Sequence, residues 1–201
     1  ELPGDYRYVD ANGDGIIDDN DRMPLFWSGT PLIHYGFNLE ASWKNFDIYA
    51  LLQGAGMYTV QFSEVYAEVL WSKGANTPAY FYDRWRKEDP YNPNSKWVAG
   101  KWPATRLIQD TGAMYKESNI WRRDASYLRL KTLELGYTLP DSILRKSGIS
   151  NIRFYINGYN LLTFCDSFVK AFDPEKVEGS YSAGMNYPLT KSFNIGFTAN
   201  F

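Results

Sequence analysis

Residues 192–201 read Ser-Phe-Asn-Ile-Gly-Phe-Thr-Ala-Asn-Phe, and their alternation decides the fold. Phe193, Ile195, Phe197, Ala199 and Phe201 hold the odd positions. Ser192, Asn194, Gly196, Thr198 and Asn200 hold the even ones. Successive side chains of a β-strand point to opposite faces. The stretch is therefore a strand with one apolar face and one small, polar face.

The same pattern recurs upstream. Ile33, Tyr35, Phe37, Leu39, Ala41 and Trp43 alternate with His34, Gly36, Asn38, Glu40 and Ser42. Lys44-Asn45 is a polar break short enough for a hairpin turn. Phe46, Ile48, Ala50 and Leu52 then alternate with Asp47, Tyr49, Leu51 and Gln53, up to Gly54-Ala-Gly56. Residues 125–138 form a strand with a fault: Leu128 and Leu130 share one parity, and Leu133, Leu135 and Tyr137 share the other. A β-bulge near Lys131-Thr132 restores a single apolar face. Residues 151–162 supply a further strand, with Phe154 and Ile156 set against Arg153, Tyr155 and Asn157. Five strands are expected, near 33–43, 46–56, 125–138, 151–162 and 190–201.

Between them lie short and long connections in turn. Residues 57–124 hold four prolines, many charges and Trp71, Trp85, Trp97, Trp102 and Trp121, with helix expected around Ser63–Leu70 and Ala79–Lys87. Residues 163–188 form a second irregular loop. Long ordered loops carry function.

Composition narrows the architecture. Aromatic residues make up 17% of the chain, against a mean hydropathy of −0.43. Two designs need so many rings: a carbohydrate-binding β-domain, which stacks sugars on them, and an outer-membrane β-barrel, whose rims carry aromatic girdles. A net charge of −2 and the lack of a Lys/Arg cluster exclude a basic nucleic-acid surface. One cysteine, Cys165, forms no internal disulfide, and one histidine, His34, makes no multi-histidine metal site. No apolar run approaches the ~20 residues of a membrane helix, which does not bear on a barrel. The chain opens on Glu1 rather than Met, so a removed start or a fragment is expected.

Short and long connections alternate as in transmembrane barrels, which have short periplasmic turns and long outer loops. With the last strand ending at the periplasmic side, the links 44–45 and 139–150 are periplasmic. Residues 1–32, 57–124 and 163–188 are then extracellular. The fold class read from the residues is all-β: the hairpin 33–56 and the strands within 125–201 are antiparallel wall. Five strands cannot close a barrel, so the chain is expected to be the C-terminal part of a larger one. Its lumen-facing positions His34, Asn38, Glu40 and Gln53 are the candidate substrate path. Trp71, Trp85, Trp97 and Trp102 are candidate loop contacts, packing the loop or meeting a partner or a sugar ring.

One motif carries metal chemistry. Asp10 to Asp21 has the spacing of a twelve-residue calcium loop. Asp10, Asn12 and Asp14 fall at positions 1, 3 and 5, with Gly15 at the sharp turn. Ile16 offers its carbonyl at 7, Asp18 falls at 9 and Asp21 at 12. Asp in place of the usual Glu at 12 shortens the closing arm and weakens affinity. The plainer reading is a solvated Asn/Asp/Gly turn. If Ca²⁺ binds, it staples the loop. No nucleophile elbow, P-loop or zinc-protease motif occurs, and no carboxylate pair has acid/base spacing, so no enzyme is expected.

Several blocks together resemble the C-terminal third of SusC/RagA-type TonB-dependent transporters. They are Pro3 to Gly15, Tyr35-Gly-Phe-Asn38, Lys44-Asn-Phe-Asp47 with Gln53-Gly54, and Ser126-Tyr-Leu-Arg-Leu130 with Leu135 to Pro140. Asn160 to Phe164, Asp173-Pro-Glu175 and Tyr187 to Phe193 complete the set. Cys165-Asp-Ser-Phe168 departs from the family's Thr/Tyr/Gly-rich stretch. The resemblance implies a 22-stranded transmembrane β-barrel in the outer membrane of a Gram-negative bacterium, in contact with lipid and LPS. It also implies an N-terminal plug, a SusD-like surface lipoprotein lid, and TonB-powered import of an oligosaccharide or peptide. The plug and the TonB-contacting segment would precede Glu1. The competing reading is a soluble, calcium-stabilised carbohydrate-binding β-sandwich, which needs a second sheet over the apolar face.

Overall fold

The computed structural model describes residues 3–62, 77–105, 118–145, 148–176 and 186–201. Among these, the strands are β1 Ile33–Trp43, β2 Phe46–Gly56, β3 Thr59–Gln61, β4 Arg86–Lys87, β5 Trp97–Val98, β6 Arg122–Asp124, β7 Tyr127–Thr138, β8 Asn151–Phe164 and β9 Ser192–Asn200. Two single-turn helices follow β7 and β8: α1 Asp141–Leu144 and α2 Ser167–Lys170. The chain divides into two compact units, Glu1–Phe26 with Gln61–Arg122, and Trp27–Val60 with Arg123–Phe201.

The second unit is built on a five-stranded antiparallel sheet in the order β1-β2-β7-β8-β9. Period-2 alternation gives it two unlike faces. Trp43, Phe46, Tyr137, Phe154 and Phe197 lie directly opposite one another, one from each strand. The next row on the same face is Ala41, Ile48, Leu135, Ile156 and Ile195. An aromatic row thus borders an aliphatic band at the end of the sheet that carries the 44–45 turn. The face is bare: Trp43 is 69% exposed, Phe197 67% and Ile195 85%. Apolar surface this extensive and contiguous marks contact with a membrane or another protein.

The fault expected in the third long strand is present. Leu51 pairs with Thr132 and Leu52 with Leu130, which leaves Lys131 out of the β2 ladder. On the other side, Tyr159 pairs with Thr132 and Leu162 with Leu130. Asn160, in the left-handed region at φ 55°, and Leu161 fall between them. The bulge switches parity once, so Leu128, Leu130, Leu133 and Leu135 share the apolar face.

Several boundaries differ from expectation. β8 runs to Phe164, two residues further than the alternation suggests. β7 begins at Tyr127, because the Ala125 amide donates to the Tyr58 carbonyl and the Ser126 amide to Asp124 Oδ1. The helix expected over 79–87 is a 3-10 turn confined to Ala79–Asp83. Its continuation is blocked because the Trp85 amide donates to the Trp102 carbonyl and the Trp102 amide to the Asp83 carbonyl; Arg86–Lys87 then pair with Trp97–Val98. The helix expected at 63–70 lies outside the described residues.

Ring packing also uses glycine. Tyr35 lies across Gly54 and donates its hydroxyl to the Tyr127 carbonyl at 2.7 Å. A Cβ at Gly54 would overlap both the Tyr35 ring and that carbonyl. We expect Gly54→Ala to destabilise the folded sheet by about 1–3 kcal/mol, the range for overpacking. Loss of the strand signal in circular dichroism on heating should set in at a lower temperature than in wild type.

Candidate functional site

The polar face of the sheet carries two linked sets of charges. Near the 44–45 turn, Arg153 of β8 reaches across β7. Its Nε donates to Asp47 Oδ1 at 3.0 Å, and its Nη2 donates to Asp47 Oδ2 and, at 2.7 Å, to Glu134 Oε1. Asn157 Nδ2 donates to the other Glu134 oxygen at 3.1 Å, and Asn194 Nδ2 donates to Asn157 Oδ1 at 2.9 Å. The chain of bonds crosses β2, β7, β8 and β9. It passes over Gly136, where a Cβ would overlap the Arg153 guanidinium and the Asp47 carboxylate. Gly196 leaves similar room for the Tyr155 ring.

The second set lies at the opposite end. Arg129, 3% exposed, donates from Nε to Thr163 Oγ1, from Nη1 to Glu175 Oε2 at 2.7 Å, and from Nη2 to Asp173 Oδ1. Lys131, set free by the bulge, donates to both Glu175 oxygens at 2.7 and 2.8 Å. Asp173 in turn accepts from the Glu175 amide and, at 2.7 Å, from the Leu189 amide. The Tyr58 hydroxyl donates to the Pro174 carbonyl at 2.9 Å, and burial beside Tyr127 holds this phenol well above its usual pKa. Asp173-Pro-Glu175 is thus the point where the segment after β8 is fastened to the sheet. Buried charges persist only when paired and hydrogen-bonded, and both Arg129 and Asp173 meet that condition.

The expected path residues share the polar face without converging. His34, Asn38 and Glu40 stand on β1 opposite Ala55, Leu51 and Tyr49, and Gln53 stands on β2 beside Arg129. All three β1 residues are exposed. The parity of the strands marks Asp47, Glu134, Arg153 and Arg129 as polar-face residues. Their partnerships need the cross-strand register, which no local pattern contains.

The first unit holds the other expected sites. Trp102 is 5% exposed and packs on Trp121 (5.3 Å between ring centroids) and Tyr80 (4.9 Å), so it is core rather than a sugar platform. Trp85 packs against the Gly4 backbone, and Lys87 Nζ lies 4.8 Å over the Trp97 ring. Trp71 lies outside the described residues. In the acidic loop, the Asp10 oxygens accept from the amides of Gly13 and Gly15. Asp14 accepts from the Ile16 amide, and Asp18 from Asn20. Asp21 accepts from Asp18, Ala11 and Asn12, first of all Asp18, and these amides hold its carboxyl below the usual range. Among the described residues, no group of three or more acidic, His or Cys side chains is placed to hold a metal. Each carboxylate retains lone pairs beyond those given to amides, so the oxygens suit a cation chemically without being gathered around one. Cys165 is free, and burial pushes its thiol pKa up, away from reactivity.

No protein-family model matches the chain. Full-length proteins give clear relatives. TonB-dependent receptor P3 of Formosa agariphila is 32% identical over 210 residues, covering 99% of this chain and 19% of that protein. TonB-dependent receptor P26 of the same organism is 30% identical over 217 residues, covering 100% of this chain and 20% of that protein. The RagAB peptide importer in its closed-closed state superposes with a TM-score of 0.64 at 25% identity, over 98% of this chain and 20% of that one. The chain belongs to the TonB-dependent receptors of the SusC/RagA type. It spans about a fifth of the length of these relatives. TonB-dependent receptors are outer-membrane proteins, and the strand-rich antiparallel fold matches theirs. The relatives are receptors and importers, not enzymes, and the non-enzymatic reading rests on that kinship.

Removing one partner of a buried ion pair costs about 3–5 kcal/mol. We expect Arg129→Met in the full-length transporter to expose the 173–176 segment to limited proteolysis, with Arg129→Lys intermediate. Unchanged cleavage would mean the segment is held by other contacts.

Proposed function

We propose that this chain is wall and outer loop of a 22-stranded outer-membrane barrel that imports a nutrient, driven through TonB. The observation carrying the proposal is the two-faced sheet, with its bare apolar rows on one side and its charged ladder on the other. A lipid-facing wall needs the first and a water-filled lumen the second. A soluble sandwich needs another sheet over the apolar face, and the exposures of Trp43, Phe197 and Ile195 leave that face open. The strands within 33–56 and 125–201 are then membrane-spanning, and the segments 1–32, 57–124 and 163–188 lie at the cell surface. A plug and TonB-contacting segment in the rest of the polypeptide would supply energy coupling, and a SusD-like lipoprotein would cap the loops.

A peptide is the better-supported substrate class. RagAB is a peptide importer, and Trp102, one of the candidate loop rings, is packed inside and closed to a sugar ring. His34, Asn38, Glu40 and Gln53 would line the path. The test uses the full-length transporter with its neighbouring lipoprotein. The expected result is recovery of the chain in the detergent-extracted outer membrane, with TonB-dependent uptake of labelled oligopeptides. Recovery in the soluble fraction would overturn the barrel reading, and uptake of oligosaccharides alone would overturn the peptide assignment.

Calcium at Asp10–Asp21 is proposed on ligand spacing. In the full-length protein we expect a chelator to speed proteolysis between Asp10 and Met23 and leave the strand signal in circular dichroism unchanged. Equal cleavage with and without calcium would leave the amide network as the loop's sole support.

A further inference from the structure

The apolar face carries a groove of about 550 Å³ beside the 44–45 turn, lined chiefly by Trp43, Phe46, Ile48, Leu135, Tyr137 and Ile156. The Phe46 and Tyr137 rings pack at 4.7 Å at its aromatic end, and Ile48, Leu135, Ile156 and Ile195 form its floor along the strands. Lys44 stands at the rim. It takes a left-handed backbone conformation (φ 55°), and its Nζ lies 4.6 Å over the exposed Trp43 ring. Among the described residues Lys44 is in no ion pair. Asp47, which also lines the groove, is paired with Arg153, so among the described residues Lys44 offers a cation in no ion pair where the apolar groove meets water, and the two chemistries adjoin in the order of a lipid: anionic headgroup, then hydrocarbon.

We propose that this groove seats one glycerophospholipid of the leaflet at the 44–45 end, its phosphate beside Lys44 and an acyl chain along Ile48, Leu135 and Ile156. The inference rests on the barrel reading above. Aromatic rings at the headgroup level are amphipathic anchors, and a basic residue attracts an anionic surface close to it. The seat differs from the rest of the apolar face in joining a recess to a charge. A lipid held there would leave the protein more slowly than the lipids around it.

The test is native mass spectrometry of the full-length transporter, extracted from outer membranes and washed in detergent. Wild type should retain a phospholipid, and added phosphatidylglycerol should refill the site after delipidation. Lys44→Glu should lower retention about tenfold or more, since charge reversal replaces attraction with repulsion. Lys44→Gln should lower it less. Ala41→Trp, which fills the groove and leaves the charge, should also lower it, with heat-modifiable mobility reporting that each variant folds. Equal retention in folded Lys44→Gln and Ala41→Trp would overturn the proposal, as would retention of lipopolysaccharide in place of phospholipid. Absence of the transporter from the outer membrane would overturn the barrel reading itself. Its presence there without retained phospholipid would overturn only the lipid seat.

Discussion

Each strand of the sheet presents alternate residues to two surroundings, and a slip of one residue exchanges them. The alternation must therefore hold in register across all five strands at once. In β7 it holds through a fault: Lys131 leaves the ladder, and the parity of the leucines is mended. The extruded side chain has a use as well, since its ammonium binds both oxygens of Glu175. The irregularity that keeps the apolar face continuous also supplies a donor to the cluster that fastens the segment after β8. Packing on one face and charge pairing on the other are thus joined in a single residue.

The polar face is organised as charge chains rather than as isolated groups. Arg153 bridges Asp47 and Glu134, and the amides of Asn157 and Asn194 carry the bonding on to the last strand. Arg129 does the same at the other end with Asp173 and Glu175. Hydrogen-bonded side chains of this kind fix neighbouring strands laterally while leaving the surface hydrophilic. That combination suits a sheet face that meets water.

Much of the sheet was legible in the sequence because a period of two residues is a local signal. β1, β2 and β9 follow directly from it, and even the bulge shows as a change of parity between Leu130 and Leu133. The charge chains were not legible in the same way. Asp47 and Arg153 are far apart in sequence and meet only through two intervening registers. Asp173-Pro-Glu175 stood out as a motif, but its role depends on Arg129, reached through folding of the β8 loop. For Trp102 the sequence leaves packing and ring contact both open, because composition does not report burial, and the fold packs it. The acidic loop shows its ligand spacing in the sequence, whereas the bonds its carboxylates accept from the loop's own amides come only with the fold.

Gly136 has an evolutionary implication. The Asp47–Arg153 pair spans β7 through the space that a side chain at Gly136 would fill. A Cβ at 136 would meet the movable ends of the Arg153 and Asp47 side chains, so a larger residue there is admitted only by shifting the pair. Substitutions at these three positions, on three strands, are therefore felt together rather than one at a time.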